Sequence, residues 1–295
     1  MTAKILDGNQ IAREMRGEIR QRVDALKGRG VVPGLGVLLV GDDPASRSYV
    51  TAKERACEQA GMYSSEIRLA ADATLAGILE VVNDFNRDAR IHGILVQLPL
   101  PDGKMEQTVL EAIDPAKDVD GFHPVNVGKM MLGLPTFLPC TPHGILHILK
   151  RSGIETSGRH VVVVGRSNIV GRPLANMLSQ KSAFGDATVT ICHTRTRNLS
   201  DFTRSADILI AAAGRPNTIT GDMVREGAVV IDVGVNRVED ATRERGYRLT
   251  GDVDFEAVKE KASAITPVPG GVGPMTITML LYNTVESAKR TLDET

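Results

Sequence analysis

The 295-residue chain contains no apolar run that approaches the ~18 residues of a membrane span, so a membrane-embedded protein is not expected. It carries no charge excess: 35 Lys and Arg face 36 Asp and Glu, a formal net charge of −1. Neither nucleic acid nor an anionic membrane surface is therefore an expected partner, and a small molecule is. Its three cysteines, Cys57, Cys140 and Cys192, lie far apart without CxxC or Cys/His ligand spacing. That pattern argues against a disulfide framework and against a metal site, and suits a reducing compartment. The N-terminal stretch MTAKILDGNQIAREM does not have the basic-then-apolar order of a signal peptide, which makes the cytoplasm the expected location. Internal repeats and low-complexity segments are also missing.

What the chain does have is alternation. Strand-like GLGVLLVG (34–41), SSEIRL (64–69) and IHGILVQLPLP (91–101) are separated by helical patterns over Pro44–Gln59 and Thr74–Arg90. A helix over His143–Ser152 then leads into HVVVVG (160–165), DATVTICH (186–193), ADILIAAAG (206–214) and GAVVIDVGV (227–235). A βαβ order implies parallel sheets with right-handed crossovers, and this length exceeds what one hydrophobic core usually serves. The expected fold is α/β, with two three-layer parallel-sheet domains around a cleft, the second Rossmann-like. The first would fill residues 1–140 and be joined by a last helix over 275–295; the second would fill 141–274.

Four valines running into GRSNIVG match the strand and phosphate turn of a dinucleotide unit. The GxGxxG pattern is imperfect, since Ser167 replaces the second glycine and Gly171 falls one residue late. An ordinary tight turn between strand and helix explains that segment equally well. If a dinucleotide binds, the strand ending ICHTRTRN offers no acid for a ribose 2′-hydroxyl. Thr194, Arg195 and the loop residue Arg166 instead offer hydroxyl and cationic partners for a 2′-phosphate, which favours NADP over NAD. Arg195 and Arg197 also read as solvated loop charges.

In the first half, Ser46, Tyr49 and Lys53 share one face of a helix that follows a strand's carboxyl end, where open α/β sheets place ligands. A lysine there is a candidate acid or base if burial lowers its pKa; a surface lysine beside a tyrosine is the plainer alternative. Gln97, at another carboxyl edge, offers donor and acceptor together, or simply closes a loop whose prolines suit a cis bond. Asp118 and Asp120 are two apart without a third acid or histidine at ligand spacing, which leaves recognition of a donor-rich heterocycle or a solvated acidic turn. His123 reads as structural. PVPGGVGPMT is either a rigid backbone against a flat ligand or a rigid turn.

Together YVTAKERA (49–56), ILVQLPLP (94–101), PAKDVDGFHPVNVG (115–128), PCTPHG (139–144), VVVGRSNIVGRP (162–173) and TPVPGGVGPMT (266–276) resemble the bifunctional methylenetetrahydrofolate dehydrogenase/cyclohydrolase family, in order and over nearly the whole chain. The resemblance implies NADP on the second domain, tetrahydrofolate derivatives in the cleft and a homodimer. It implies oxidation of 5,10-methylenetetrahydrofolate to the methenyl compound, then hydrolysis to 10-formyltetrahydrofolate. By that resemblance Lys53 is the catalytic lysine, Tyr49 stacks on the folate, Gln97 orients the lysine and Asp120 holds the pterin. Val96, Leu98, Pro269, Gly270, Gly271, Val272 and Gly273 would line the folate site. Gly165, Arg166, Ser167, Thr194, Arg195 and Val235 would contact the cofactor. An NADP-dependent dehydrogenase of another small metabolite, or a catalytically silent NADP-binding protein, explains the second domain but leaves Asp120 or the lysine strip without a role.

Overall fold

Strand and helix alternate along the chain much as the hydrophobic runs predict. The structure is a computed structural model that describes residues 2–243 and 246–293. In chain order the elements begin with β1 (Lys4–Ile5), α1 (Gly8–Lys27), β2 (Gly34–Val40), α2 (Pro44–Ala60), β3 (Tyr63–Leu69), α3 (Leu75–Arg87) and β4 (Gly93–Val96). Next come α4 (Glu106–Glu111), α5 (Pro124–Met131), α6 (Cys140–Arg151), β5 (His160–Val164), α7 (Gly171–Ser179), β6 (Thr188–Cys192), α8 (Leu199–Arg204) and β7 (Ile208–Ala211). The chain continues through β8 (Val229–Asp232), β9 (Asn236–Glu239), β10 (Tyr247–Thr250), α9 (Phe255–Lys259), β11 (Ala264–Ile265) and α10 (Val272–Asp293). Among the described residues no helix is long and apolar enough to cross a membrane.

The chain divides into two compact units. The first, residues 13–140 with 277–293, is built on a three-stranded parallel sheet in the order β3-β2-β4. All seven residues of β2 are buried, as expected of a central parallel strand covered on both faces. Its core joins Leu38 and Val40 to Ile78, Val82 and Phe85 of α3 and to Ile94 and Val96 of β4. Local signals set the helix bounds. Asp43 caps α2 with Pro44 at its first position, and Gly61 closes it in the left-handed conformation at φ 73°. Thr74 caps α3, which ends at Arg87 rather than at the expected Arg90. The Lys117 ammonium takes the carbonyls of Phe85, Asn86 and Asp88 at 2.8–3.1 Å and so occupies acceptors at that end. The expected strand 91–101 is likewise only Gly93–Val96, because Pro99 and Pro101 have no N–H to continue a ladder.

The second unit, residues 2–12 with 141–276, carries a six-stranded sheet in the order β1-β11-β8-β7-β5-β6. Every pairing in it is parallel. The valine strand β5 lies between β6 and β7, with Val161, Val162, Val163 and Val164 all buried. A separate antiparallel pair, β9 and β10, follows β8 and has no counterpart in the sequence reading. The expected boundary at residue 1 is corrected: Lys4–Ile5 pairs with Ala264–Ile265, and the Leu6 N–H donates to the Ile265 carbonyl, so the chain's start belongs to this unit. The final helix also starts earlier than expected, at Val272 rather than Met275.

Candidate active site

Helix α2 leaves the carboxyl end of β2, and the Asp43 carboxylate accepts the Ser46 N–H at 2.8 Å to fix its first turn. Ser46, Tyr49 and Lys53 follow at helical spacing on one face. Ser46 is buried, Tyr49 is 40 % exposed, and Lys53, at 8 %, is withdrawn from solvent. The Lys53 ammonium donates to Gln97 Oε1 at 2.9 Å. Gln97 in turn donates Nε2–H to the Leu98 carbonyl at 2.7 Å, and its backbone N–H donates to the Leu38 carbonyl of β2. The glutamine is thus held at three points, with its oxygen facing the lysine. Val96 is buried in the core and Leu98 is half-buried; the Leu98–Pro99 peptide is cis, as the prolines suggested.

Asp120 completes this cluster. Burial pushes its carboxyl up from the ordinary range, and the Lys53 cation opposes that rise. Lys53 is the mirror case: burial lowers its pKa, and Asp120 is the foremost group that raises it. Burial penalises the charge on each, and each partly offsets the other's penalty. Two residues that sequence reading did not assign support them. The Cys140 thiol donates to the Val119 carbonyl at 3.4 Å, and burial, then Asp120, holds its pKa well above the usual value. Asn283 of α10 donates to the carbonyls of Val119 and Leu138 at 2.8 and 3.0 Å. Cys140 stands inside the PCTPHG motif, whereas nothing in the sequence around Asn283 signals its reach across more than a hundred residues. Asp118 has a different set of partners: it accepts from the N–H groups of Phe122 and His123 and from Asn126 Nδ2, while its charge adds to the upward shift of Asp120. His123 caps α5 through Nδ1, a structural role.

The other predicted positions lie in the second unit. Gly165 follows β5 with φ 142°, and a Cβ there would sit 2.1 Å from the Ala212 carbonyl oxygen. Only glycine lets this turn lie against the end of β7. Arg166 and Ser167 are exposed in the turn that leads to α7, and Ser167 Oγ accepts the N–H groups of Val170 and Gly171 at 3.2 and 3.3 Å. Thr194 and Arg195 are exposed just beyond β6, and Val235 is 45 % exposed just beyond β8. All six positions stand at the carboxyl edge of the sheet, where doubly wound sheets bind nucleotides. A backbone-close glycine turn, guanidinium groups and the lack of an acid after β6 suit a phosphorylated dinucleotide. In the PVPGGVG segment Pro269 is exposed and Gly270 half-buried, while Gly271 and Val272 are buried and Gly273 begins α10 with Val272.

Comparison with known proteins matches both halves of the chain. Residues 6–120 match the family model "Tetrahydrofolate dehydrogenase/cyclohydrolase, catalytic domain", and residues 139–292 match its "NAD(P)-binding domain". The Bifunctional protein FolD of Bacillus subtilis is 57 % identical over 292 residues, 99 % of this chain and all of that protein. The crystal structure of the FolD methylenetetrahydrofolate dehydrogenase/cyclohydrolase of Campylobacter jejuni superposes with a TM-score of 0.92 at 49 % identity, covering 98 % of this chain and 99 % of that one. The Trypanosoma brucei FolD, solved with NADP cofactor and an inhibitor, gives 0.94 at 38 % identity, with 99 % of each chain covered. Two family models in the expected order, and relatives that align from end to end, make this chain a member of the tetrahydrofolate dehydrogenase/cyclohydrolase family.

Proposed function

We propose that this chain oxidises 5,10-methylenetetrahydrofolate to 5,10-methenyltetrahydrofolate with NADP and hydrolyses the product to 10-formyltetrahydrofolate. The observation that carries the proposal is Lys53: a buried amine, oriented by Gln97 at 2.9 Å and balanced electrostatically by Asp120. The first step needs no strong base, because the two nitrogens flanking the methylene bridge delocalise the cation left when hydride departs. NADP supplies the hydride acceptor when bound. Asp120 accepts from the donor edge of the pterin, and the exposed Tyr49 ring offers it a stacking face. Arg166, Ser167, Thr194 and Arg195 hold the cofactor's phosphates, and the Gly165 turn and Val235 backbone flank it.

Hydrolysis does need proton transfer. Water adds to the methenyl carbon and gives up a proton to the neutral Lys53 amine. The added hydroxyl then loses its remaining proton to solvent as the carbon–nitrogen bond breaks, the ammonium returns a proton to the departing ring nitrogen, and the formyl group stays on the other nitrogen. A pKa lowered by burial raises the neutral fraction of the amine, while Asp120 stabilises the ammonium that forms. Gln97 Oε1 holds the amine in one orientation throughout. Mixing the protein with NADP and methylenetetrahydrofolate should produce NADPH absorbance and transient methenyl absorbance; a well-folded preparation that produces neither overturns the proposal. We also propose a cytoplasmic homodimer, which light scattering tests by mass.

A further inference from the structure

At the carboxyl edge of the six-stranded sheet two aspartates are sealed from water. Asp232, the last residue of β8, is 3 % exposed, and Asp252, just after β10, is 0 % exposed. The Asp252 carboxylate accepts the N–H groups of Ala213 and Gly214 at 2.6 and 2.8 Å through one oxygen, and Asn236 Nδ2 at 2.8 Å through the other. The Asp232 carboxylate accepts the N–H groups of Gly234, Asp252 and Val253 at 3.0, 2.9 and 3.0 Å. Its own N–H is anchored on Thr266 Oγ1 at 2.7 Å. The two acids are therefore linked in series: Asp232 holds the backbone of Asp252, and Asp252 holds the loop after β7. Space for them is reserved by glycine, since a Cβ at Gly251 would lie 1.7 Å from Asp232 Oδ2 and one at Gly234 would lie 2.1 Å from Asp252 Oδ1.

None of the carboxylate bonds is a rung between paired strands; they tie the chain just beyond β7, β8 and β10, and the first residue of β9, to the edge of the sheet. Burying carboxylates is expensive, and apolar packing of equal volume would stabilise the fold as well or better. What the pair achieves is placement. It grips Gly234 and Asn236 on either side of the exposed Val235, and it grips Ala213 and Gly214 next to Ala212, whose carbonyl touches the Gly165 turn. Charge-assisted bonds to fixed backbone N–H groups are shorter and more directional than neutral ones, and hold such loops to a narrow set of positions.

We propose that Asp252 and Asp232 are positioning residues of the dinucleotide site, which fix the Ala213–Gly214 and Gly234–Asn236 backbones in the arrangement that NADP requires. The inference rests on the reading of this sheet edge as the NADP site. Loops released from the carboxylates populate that arrangement only part of the time, and apparent affinity falls by that fraction.

The test is direct titration of NADP into purified protein, alongside steady-state kinetics and thermal unfolding. Asp252→Ala removes all three acceptor contacts; its NADP dissociation constant and KM should rise at least tenfold, with kcat at saturating NADP within threefold of the parent. Asp252→Asn keeps one oxygen for the Ala213 and Gly214 N–H groups, and should recover affinity to within about threefold. A general loss of structure would lower kcat and the unfolding temperature together and would show no such split. If Asp252→Ala does not fold, Asn236→Ala, which removes one donor from the same carboxylate, should weaken NADP about threefold. A folded Asp252→Ala protein, or failing that a folded Asn236→Ala protein, that binds NADP as the parent does overturns the inference. Failure of the parent itself to bind NADP would instead overturn the proposed function.

Discussion

Replacing Lys53 by methionine separates the two reactions. Methionine keeps most of the unbranched stem, so the packing around α2 is preserved, and what disappears is the amine that bonds Gln97 at 2.9 Å and faces Asp120. A positioned acid or base contributes roughly 10²–10⁴ in rate, about 2.7–5.5 kcal/mol of barrier. Hydrolysis of methenyltetrahydrofolate should fall by that factor. Oxidation of the methylene compound, which uses no base, should fall far less, through lost substrate orientation alone. Stability gives an independent check. The folded pKa of Lys53 is lowered, so the unfolded chain binds its proton more readily; the penalty is full below the folded pKa and gone above the unfolded value of 10.5. On this count Lys53→Met is no less stable than the parent at neutral pH. Its secondary effect falls on Asp120, which loses the cation that opposes its upward shift and becomes easier to protonate. The assay is decay of methenyl absorbance without NADP, beside NADPH formation with it. A folded Lys53→Met protein that hydrolyses the methenyl compound within threefold of the parent rate refutes the assignment of Lys53 as the proton carrier.

Three further perturbations address the second unit. Gly165→Ala forces a side chain into φ 142° and onto the Ala212 carbonyl, a strain of about 1–3 kcal/mol; NADP affinity measured by titration should drop at least tenfold, and an unchanged value would show that the turn is not part of the site. Arg166→Ala removes a charge-assisted contact worth about 1.5–3 kcal/mol, so the ratio of NADP to NAD specificity constants should fall ten- to a hundredfold; equal loss for both cofactors would place Arg166 on a phosphate they share. Burial, helped by His147, drives the His143 pKa down to about 3. A base depressed when folded gives stability that is complete above its unfolded pKa near 6.5 and lost as pH falls toward the folded value. Denaturant titrations at pH 7 and pH 5 should therefore show the parent losing about 2 kcal/mol more than His143→Gln; parallel losses in the two proteins would refute it.

The parts of this fold that are legible in the sequence are those where one short segment carries its own explanation. Buried central strands read as unbroken apolar runs, so β2 and β5 stand out with nearly correct bounds. The signals that close α2, Asp43-Pro44 and Gly61, are equally local. Two of the misplaced bounds share one cause, a distant partner. Lys4–Ile5 has no strand signature of its own and becomes a strand only because Ala264–Ile265 offers it an edge. Helix α3 ends where Lys117, thirty residues away, takes its carbonyls. The β9–β10 pair is half-buried but only four residues a strand, and Val238 is the single apolar residue of β9, too little for the sequence to signal a hairpin.

The same division runs through the site. Lys53 and Tyr49 are visible because helical spacing alone puts them on one face, and Gln97 because it ends a strand. Asp118 and Asp120 look equivalent on paper, two acids two residues apart in an open turn. Folding gives them different partners. Asp118 is consumed by three donors from its own loop and α5, while Asp120 faces the lysine. What distinguishes the two is the count of donors that each one meets, and those donors come from Phe122, His123 and Asn126, whose side-chain and backbone directions are set only once α5 is capped. Asp232 and Asp252 carry this to its limit: twenty residues apart in sequence, they become one device because β8 and the chain after β10 end at the same edge of the sheet. A carboxylate's role in this protein is decided by which N–H groups reach it first, and that is a property of the sheet edge rather than of the sequence beside it.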